Sequence, residues 1–171
     1  MIAKKILAVS MAALFMMMLS SCMRPGSRQE AVVDIGRPAP KFKLADLKGQ
    51  EVSLDQFKGK VVMLDFWATW CGPCQMTMPV IEKLEKEYSG TLVVLAINLQ
   101  EPKDAVAEYV HRQAVTSRVL LDESGSVGAT YGTDSIPMQF LIDKNGIVRH
   151  VQMGYSPRMA SQLRAKIEQL R

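Results

Sequence analysis

Cys71 and Cys74, two residues apart in "WATWCGPC", have the types and spacing to do chemistry. At the junction of a strand and a helix, a Cys-x-x-Cys puts its first sulfur at the helix N-terminus, where unpaired N–H groups and the dipole favour a thiolate. The second sulfur lies one turn on. Thiol-disulfide exchange needs that layout: an accessible attacking sulfur with a resolving thiol held beside it. Zinc binding would require two more ligands, and His111 and His150 supply neither a His-x₃-His pair nor a second Cys-x-x-Cys, so no metal is expected. A structural staple also fits an exported protein, although a bridge closing so small a loop restrains the unfolded chain little.

The third cysteine, Cys22, falls in a different setting. "MIAKKILAVSMAALFMMMLSSC" has two lysines, an apolar run from Ile6 to Leu19 and then small residues, the layout of a secretory signal. The run is short of the ~20 residues of a spanning helix. Leu19-Ser20-Ser21-Cys22 resembles a bacterial lipobox, cut before the cysteine, whose sulfur then receives a diacylglyceryl group; an incidental cysteine after a plain signal, or an uncleaved anchor, is the alternative. On the lipobox reading residues 1–21 are a signal peptide, residues 22–34 are a lipidated cysteine with a flexible Pro/Gly/Ser-containing tether, and residues 35–171 form one domain. Cys22 then drops out of the redox count.

The composition fits that division, since 171 residues at 48% hydrophobic content suffice for one full core. The net charge of +4 includes Lys4 and Lys5 and falls to +2 without them. Basic residues mostly neighbour acids, so there is no phosphate-tracking stripe, and nucleic acid is not an expected partner.

The elements that must position the cysteines follow from pattern. Alternating runs around Lys48-Gly49 suggest a hairpin, with a short helical turn at residues 54–57. "KVVMLDFWA" and "TLVVLAINL" are near-continuous apolar strands of the kind buried in a parallel or mixed sheet. Between them, residues 74–88 space Met76, Val80, Ile81, Leu84 and Tyr88 at helical intervals around Pro79. Pro102 opens a helix with Val106, Tyr109 and Val110 inward, "SRVLLD" is a short strand, and "SGSVGATYG" is mostly turn with one helical stretch. "MQFLIDKNGIVRHVQMG" is a hairpin turning at Asn145-Gly146, and Ser156-Pro157 caps a last helix with Met159, Leu163, Ile167 and Leu170 on one face.

"DFWATWCGPC", Pro79 and "SIPMQFLID" together resemble the thioredoxin superfamily. The leading "IGRPAPKFKLADLKGQEVSLDQFKGK" and the lipobox narrow the resemblance to TlpA/ResA-type membrane-anchored thiol-disulfide oxidoreductases. It implies an α/β thioredoxin fold, a mixed sheet flanked by helices, with an N-terminal β-hairpin extension. It also implies reduction of protein disulfides outside the cytoplasm, commonly apocytochrome c cysteines, with a membrane-embedded thiol donor and no cofactor beyond the Cys71–Cys74 disulfide. Cys71 would attack and Cys74 resolve. Pro137 matches the cis-proline beside the CxxC, and Ile136 before it can offer backbone groups to an extended substrate. Met138 stands where a polar residue is usual, which hints at a more apolar groove.

Trp70 is expected at the exposed rim of the site and Trp67 in the core. Gly72-Pro73 is the dipeptide of thioredoxin, whose potential of about −270 mV against about −120 mV for the oxidant DsbA favours a reductant. A peroxiredoxin would need Pro-x₃-Thr/Ser-x₂-Cys, and Leu64 and Ala68 occupy those places before Cys71. A slow thiol-dependent peroxidase and a non-catalytic thioredoxin-like binding lipoprotein are the alternatives. Two carboxylates, Asp65 and Glu101, are candidates for tuning the thiols. Asp65 breaks an apolar strand and matches the buried acid of thioredoxin, while "INLQE" resembles the stretch that supplies a partly buried acid in ResA-like proteins. Beside the sulfurs they would oppose thiolate formation, and desolvation and mutual repulsion would raise their own pKa values.

Overall fold

The computed structural model describes residues 33–171, so the expected signal peptide, Cys22 and nearly all of the expected tether lie outside the described residues. Seven strands form one mixed sheet: β1 (Lys43–Asp46), β2 (Glu51–Ser53), β3 (Val61–Trp67), β4 (Leu92–Leu99), β5 (Arg118–Asp122), β6 (Met138–Ile142) and β7 (Val148–Met153). Their order across the sheet is β2-β1-β5-β4-β3-β6-β7. The central β3, β4 and β5 are parallel, and the hairpins β1–β2 and β6–β7 add antiparallel strands on the two sides. The Lys48-Gly49 hairpin and the helical turn Leu54–Phe57 fall where the pattern placed them.

Among the described residues, three α-helices connect strands, α1 (Gly72–Glu87), α2 (Lys103–Gln113) and α3 (Ser126–Tyr131), and a fourth, α4 (Met159–Leu170), follows β7. All seven residues of β3 are buried because both faces of the sheet are covered. Alternation along β3 splits the core. Val62, Leu64 and Phe66 join Phe140, Tyr131 and Phe42 on the face covered by α3. Val61 and Met63 meet Ile81 and Leu84 of α1 and Leu163 of α4 on the other, while Trp67 joins Cys74, Met78 and Tyr109.

Two helix readings need correction. The buried stripe of α1 is Cys74, Thr77, Met78, Ile81 and Leu84, whereas Met76 is 53% exposed and Val80 only partly buried. The helix starts at Gly72, and its phase is set by the two cysteines that must lie against the sheet. The last helix begins at Met159 with Arg158 at its cap, since Ser156 accepts the Met159 N–H through its carbonyl in a preceding turn.

Candidate functional site

Cys71 ends the loop that leaves β3 and occupies the N-cap of α1, with Gly72 and Pro73 as the first two helical residues. It is disulfide-bonded to Cys74, and its sulfur accepts the Cys74 N–H at 3.2 Å. The accessible attacking sulfur expected from sequence is not found in this oxidised state. Cys71 is 4% exposed and Cys74 1%, because the bridge folds Cys71 back over the first helical turn onto Trp67, Ala68 and Met78. Trp70, one residue earlier, is 72% exposed, whereas Trp67 is buried with its ring 5.3 Å from that of Tyr109.

The loop carrying Trp70 is held by Glu101 together with three residues the sequence did not single out, Thr69, Asn98 and Gln75. Glu101 accepts from the Thr69 N–H at 2.7 Å, the Thr69 hydroxyl at 2.5 Å and the Asn98 amide at 2.7 Å. Gln75, on α1, donates to the Thr69 carbonyl at 3.1 Å. Glu101 is therefore neither a solvated helix-end residue nor bonded to Asp65. It braces the strand-to-helix loop, and Gln100 beside it takes a left-handed φ of 56° at the turn out of β4.

Asp65 is wholly buried. In β3 it lies between Met63 and Trp67 on the face covered by α1, the face of the Cys74 cluster. Cross-strand pairing sets it opposite Gln139 of β6, whose amide donates to Oδ1 at 2.7 Å. Burial pushes the Asp65 carboxyl from its ordinary 3.8 up to about 7, with the Gln139 hydrogen bond pulling the other way. Gln139 was legible as a polar residue inside the apolar run "MQFLI", but only the β3–β6 register shows that the two interruptions meet.

The Ile136–Pro137 peptide is cis, Pro137 is buried, and its carbonyl accepts the Gly154 N–H at 2.8 Å. Ile136 packs against the cluster that contains Cys71 and Cys74. Met138 does not line a groove. It is 8% exposed and points with Phe140 and Ile142 into the opposite core, as alternation along β6 demands. Among the described residues, no three His, Cys, Asp or Glu side chains converge as a metal site.

Residues 34–167 match the family described as Redoxin. The thiol-disulfide oxidoreductase ResA of Geobacillus kaustophilus is 39% identical over 127 residues, covering 74% of this chain and 73% of that one. Among solved structures, the thiol:disulfide interchange protein DsbE of Chlorobium tepidum superposes with a TM-score of 0.77 at 32% identity, over 81% of this chain and 98% of that one. The exposed lipoprotein thioredoxin of Streptococcus pneumoniae gives 0.69 at 28%, over 77% and 100%.

Proposed function

The chain belongs to the redoxin family as a thiol-disulfide oxidoreductase of thioredoxin fold, and from that premise we propose that it reduces protein disulfides outside the cytoplasm, tethered to a bacterial membrane by lipid on Cys22. The observation that carries the reading is the CxxC at the N-cap of α1, with Trp70 exposed directly before it and Ile136, which precedes cis-Pro137, packed against the cluster of the two cysteines.

In the reduced protein the Cys71 thiolate, favoured by the helix terminus, attacks one sulfur of a substrate disulfide. A Cys71–substrate bond forms, and the substrate disulfide breaks to release one thiolate, which takes a proton from water. Cys74 then gives its proton to the Asp65 carboxylate, and its thiolate attacks Cys71. The mixed bond breaks, the second substrate thiolate leaves, and two electrons have passed from the dithiol to the substrate. Trp70 and the Ile136 backbone hold the extended substrate segment. The chemistry needs no cofactor beyond the cysteine pair, and a membrane-embedded thiol donor re-reduces it. Gly72-Pro73 supports the reducing direction. The ResA resemblance favours apocytochrome c cysteines as substrate.

Trapping in intact cells with Cys74→Ser tests the reading. Exported cysteine proteins, with haem-attachment Cys-x-x-Cys-His sequences among them, should be found linked to Cys71. Mass spectrometry of the membrane-extracted protein should show diacylglyceryl on Cys22 with residues 1–21 removed. An unprocessed N-terminus defeats the anchor, and an absence of mixed disulfides defeats the reductase.

A further inference from the structure

Gln139 is as deeply buried as Asp65, at 0% exposure, and its side chain has one bond, the 2.7 Å donation to Asp65 Oδ1. Two acceptors of this pair, Asp65 Oδ2 and Gln139 Oε1, have no hydrogen-bond partner. Buried polar groups are costly when unpaired, so a pair that leaves two acceptors open is an unusual use of core space. Turned the other way, the amide would set Oε1 against Oδ1, acceptor to acceptor. The N–H is therefore the group that a carboxylate selects.

The groups around the pair leave few other candidates for exchange with Asp65. Along β3 its neighbours on this face are Met63 and Trp67; β4 contributes Val94, Ala96 and Asn98, and β6 Leu141 beside Gln139. From α1 and its N-cap come Cys71, Cys74, Met78 and Ile81, and from α2 Val106 and Tyr109. The titratable groups on this side are thus the two thiols of the reduced protein, the Tyr109 and Tyr88 phenols, whose pKa values burial raises, His150 of β7, which pairs with Leu141 and is held below the usual imidazole range by burial, and Glu101, whose carboxylate is engaged by Thr69 and Asn98.

We propose that Gln139 is a positioning residue of the exchange reaction: its amide occupies Oδ1 of Asp65 and leaves Oδ2 as the oxygen that takes the proton of Cys74. This rests on the reading of Asp65 as the base for Cys74. The amide has a second effect in the same direction. A hydrogen bond from an N–H is stronger to a charged oxygen than to a neutral one, so it stabilises the carboxylate over the acid and keeps a wholly buried carboxyl ionisable near neutrality, within reach of a thiol. Without the N–H, Asp65 would hold its proton to higher pH and be unable to accept one from Cys74 until then.

The test separates the two chemical steps. Formation of a mixed disulfide with a cysteine-containing peptide disulfide, and its resolution by Cys74, are followed by rapid quench between pH 5 and 10 in the full-length protein, in Asp65→Asn, and in Gln139→Met, which keeps the volume but removes the donor. Resolution in Gln139→Met should move to higher pH by about one to two units, some tenfold or more slower at neutrality, because one unit corresponds to about 1.4 kcal/mol. Formation by Cys71 should be unchanged, whereas a merely structural defect would slow both. If Asp65→Asn flattens the resolution profile and Gln139→Met leaves it in place, Gln139 has no part and Asp65 keeps its role. If Asp65→Asn changes nothing, the base reading fails and the inference falls with it. A measurement on the unsubstituted protein stands even if Gln139→Met does not fold: the Gln139 side-chain amide resonances should titrate with the resolution midpoint, and amide shifts flat across that range overturn the proposal.

Discussion

Glu101 grips Thr69 twice, through the backbone N–H at 2.7 Å and the hydroxyl at 2.5 Å, and so ties the end of β4 to the loop that presents Trp70 and Cys71. The contact spans thirty-two residues of sequence, and the Asn98 amide holds the same carboxylate from below. One acidic side chain thus fixes where the reactive loop leaves the sheet.

Glu101→Ala should loosen that loop. It strands the Thr69 N–H and the Asn98 amide, at a cost of about 1–3 kcal/mol in unfolding free energy. Reduction of a protein disulfide should slow mainly through a higher KM, with steady-state anisotropy of Trp70 falling, while the pH midpoint of Cys74-dependent resolution stays where it was. A displaced midpoint would return Glu101 to the proton chemistry.

Cys71 should be the thiol that is alkylated first in the reduced protein. It stands at the N-cap of α1, whereas Cys74 lies within the buried face of the helix. Brief iodoacetamide treatment followed by peptide mapping should place the label on Cys71. Predominant label on Cys74 would reverse the order of attack.

The stability of the oxidised protein should fall as pH rises from about 4 to about 7, because Asp65 carries its proton in the fold up to about 7 and loses it near 3.8 once unfolded. Between those values the unfolded chain binds fewer protons, so the slope is negative, and the full penalty is on the order of 4 kcal/mol above neutrality. Asp65→Asn should therefore stabilise the protein at pH 8, with the gain fading towards pH 4. Urea titrations at the two pH values check this, and equal gains at both would mean that Asp65 ionises normally in the fold.

Trp70→Ala should leave the fold almost unchanged, since the side chain is 72% exposed. An exposed aromatic beside a reactive sulfur acts as an anchor for the partner, so kcat/KM for a protein disulfide should drop by about tenfold, or about 1.4 kcal/mol. Reactivity towards a small disulfide such as oxidised dithiothreitol should stay within about twofold, a difference too small to count as a lost anchor. Parallel losses for both substrates would assign Trp70 to shaping the CxxC itself.

The sequence by itself determined the chemistry and the order of elements. Local pattern suffices there: a Cys-x-x-Cys after an apolar strand places a sulfur at a helix start, "VVMLDFW" is too apolar for anything but a covered strand, and Asn145-Gly146 marks its own turn. Asp65 was legible for the same reason, since a charge in such a strand announces a special site. Only the tertiary structure decided what each of these residues meets. The β3–β6 register sets Gln139 against Asp65, the turn out of β4 carries Glu101 to Thr69, and the phase of β6 sends Met138 into the core rather than to the groove. The phase of α1 likewise left Met76 outside, because the cysteines had first claim on the buried face. Periodicity is a property of a few successive residues, whereas hydrogen-bond partners dozens of positions apart depend on how strands align and which face each side chain takes.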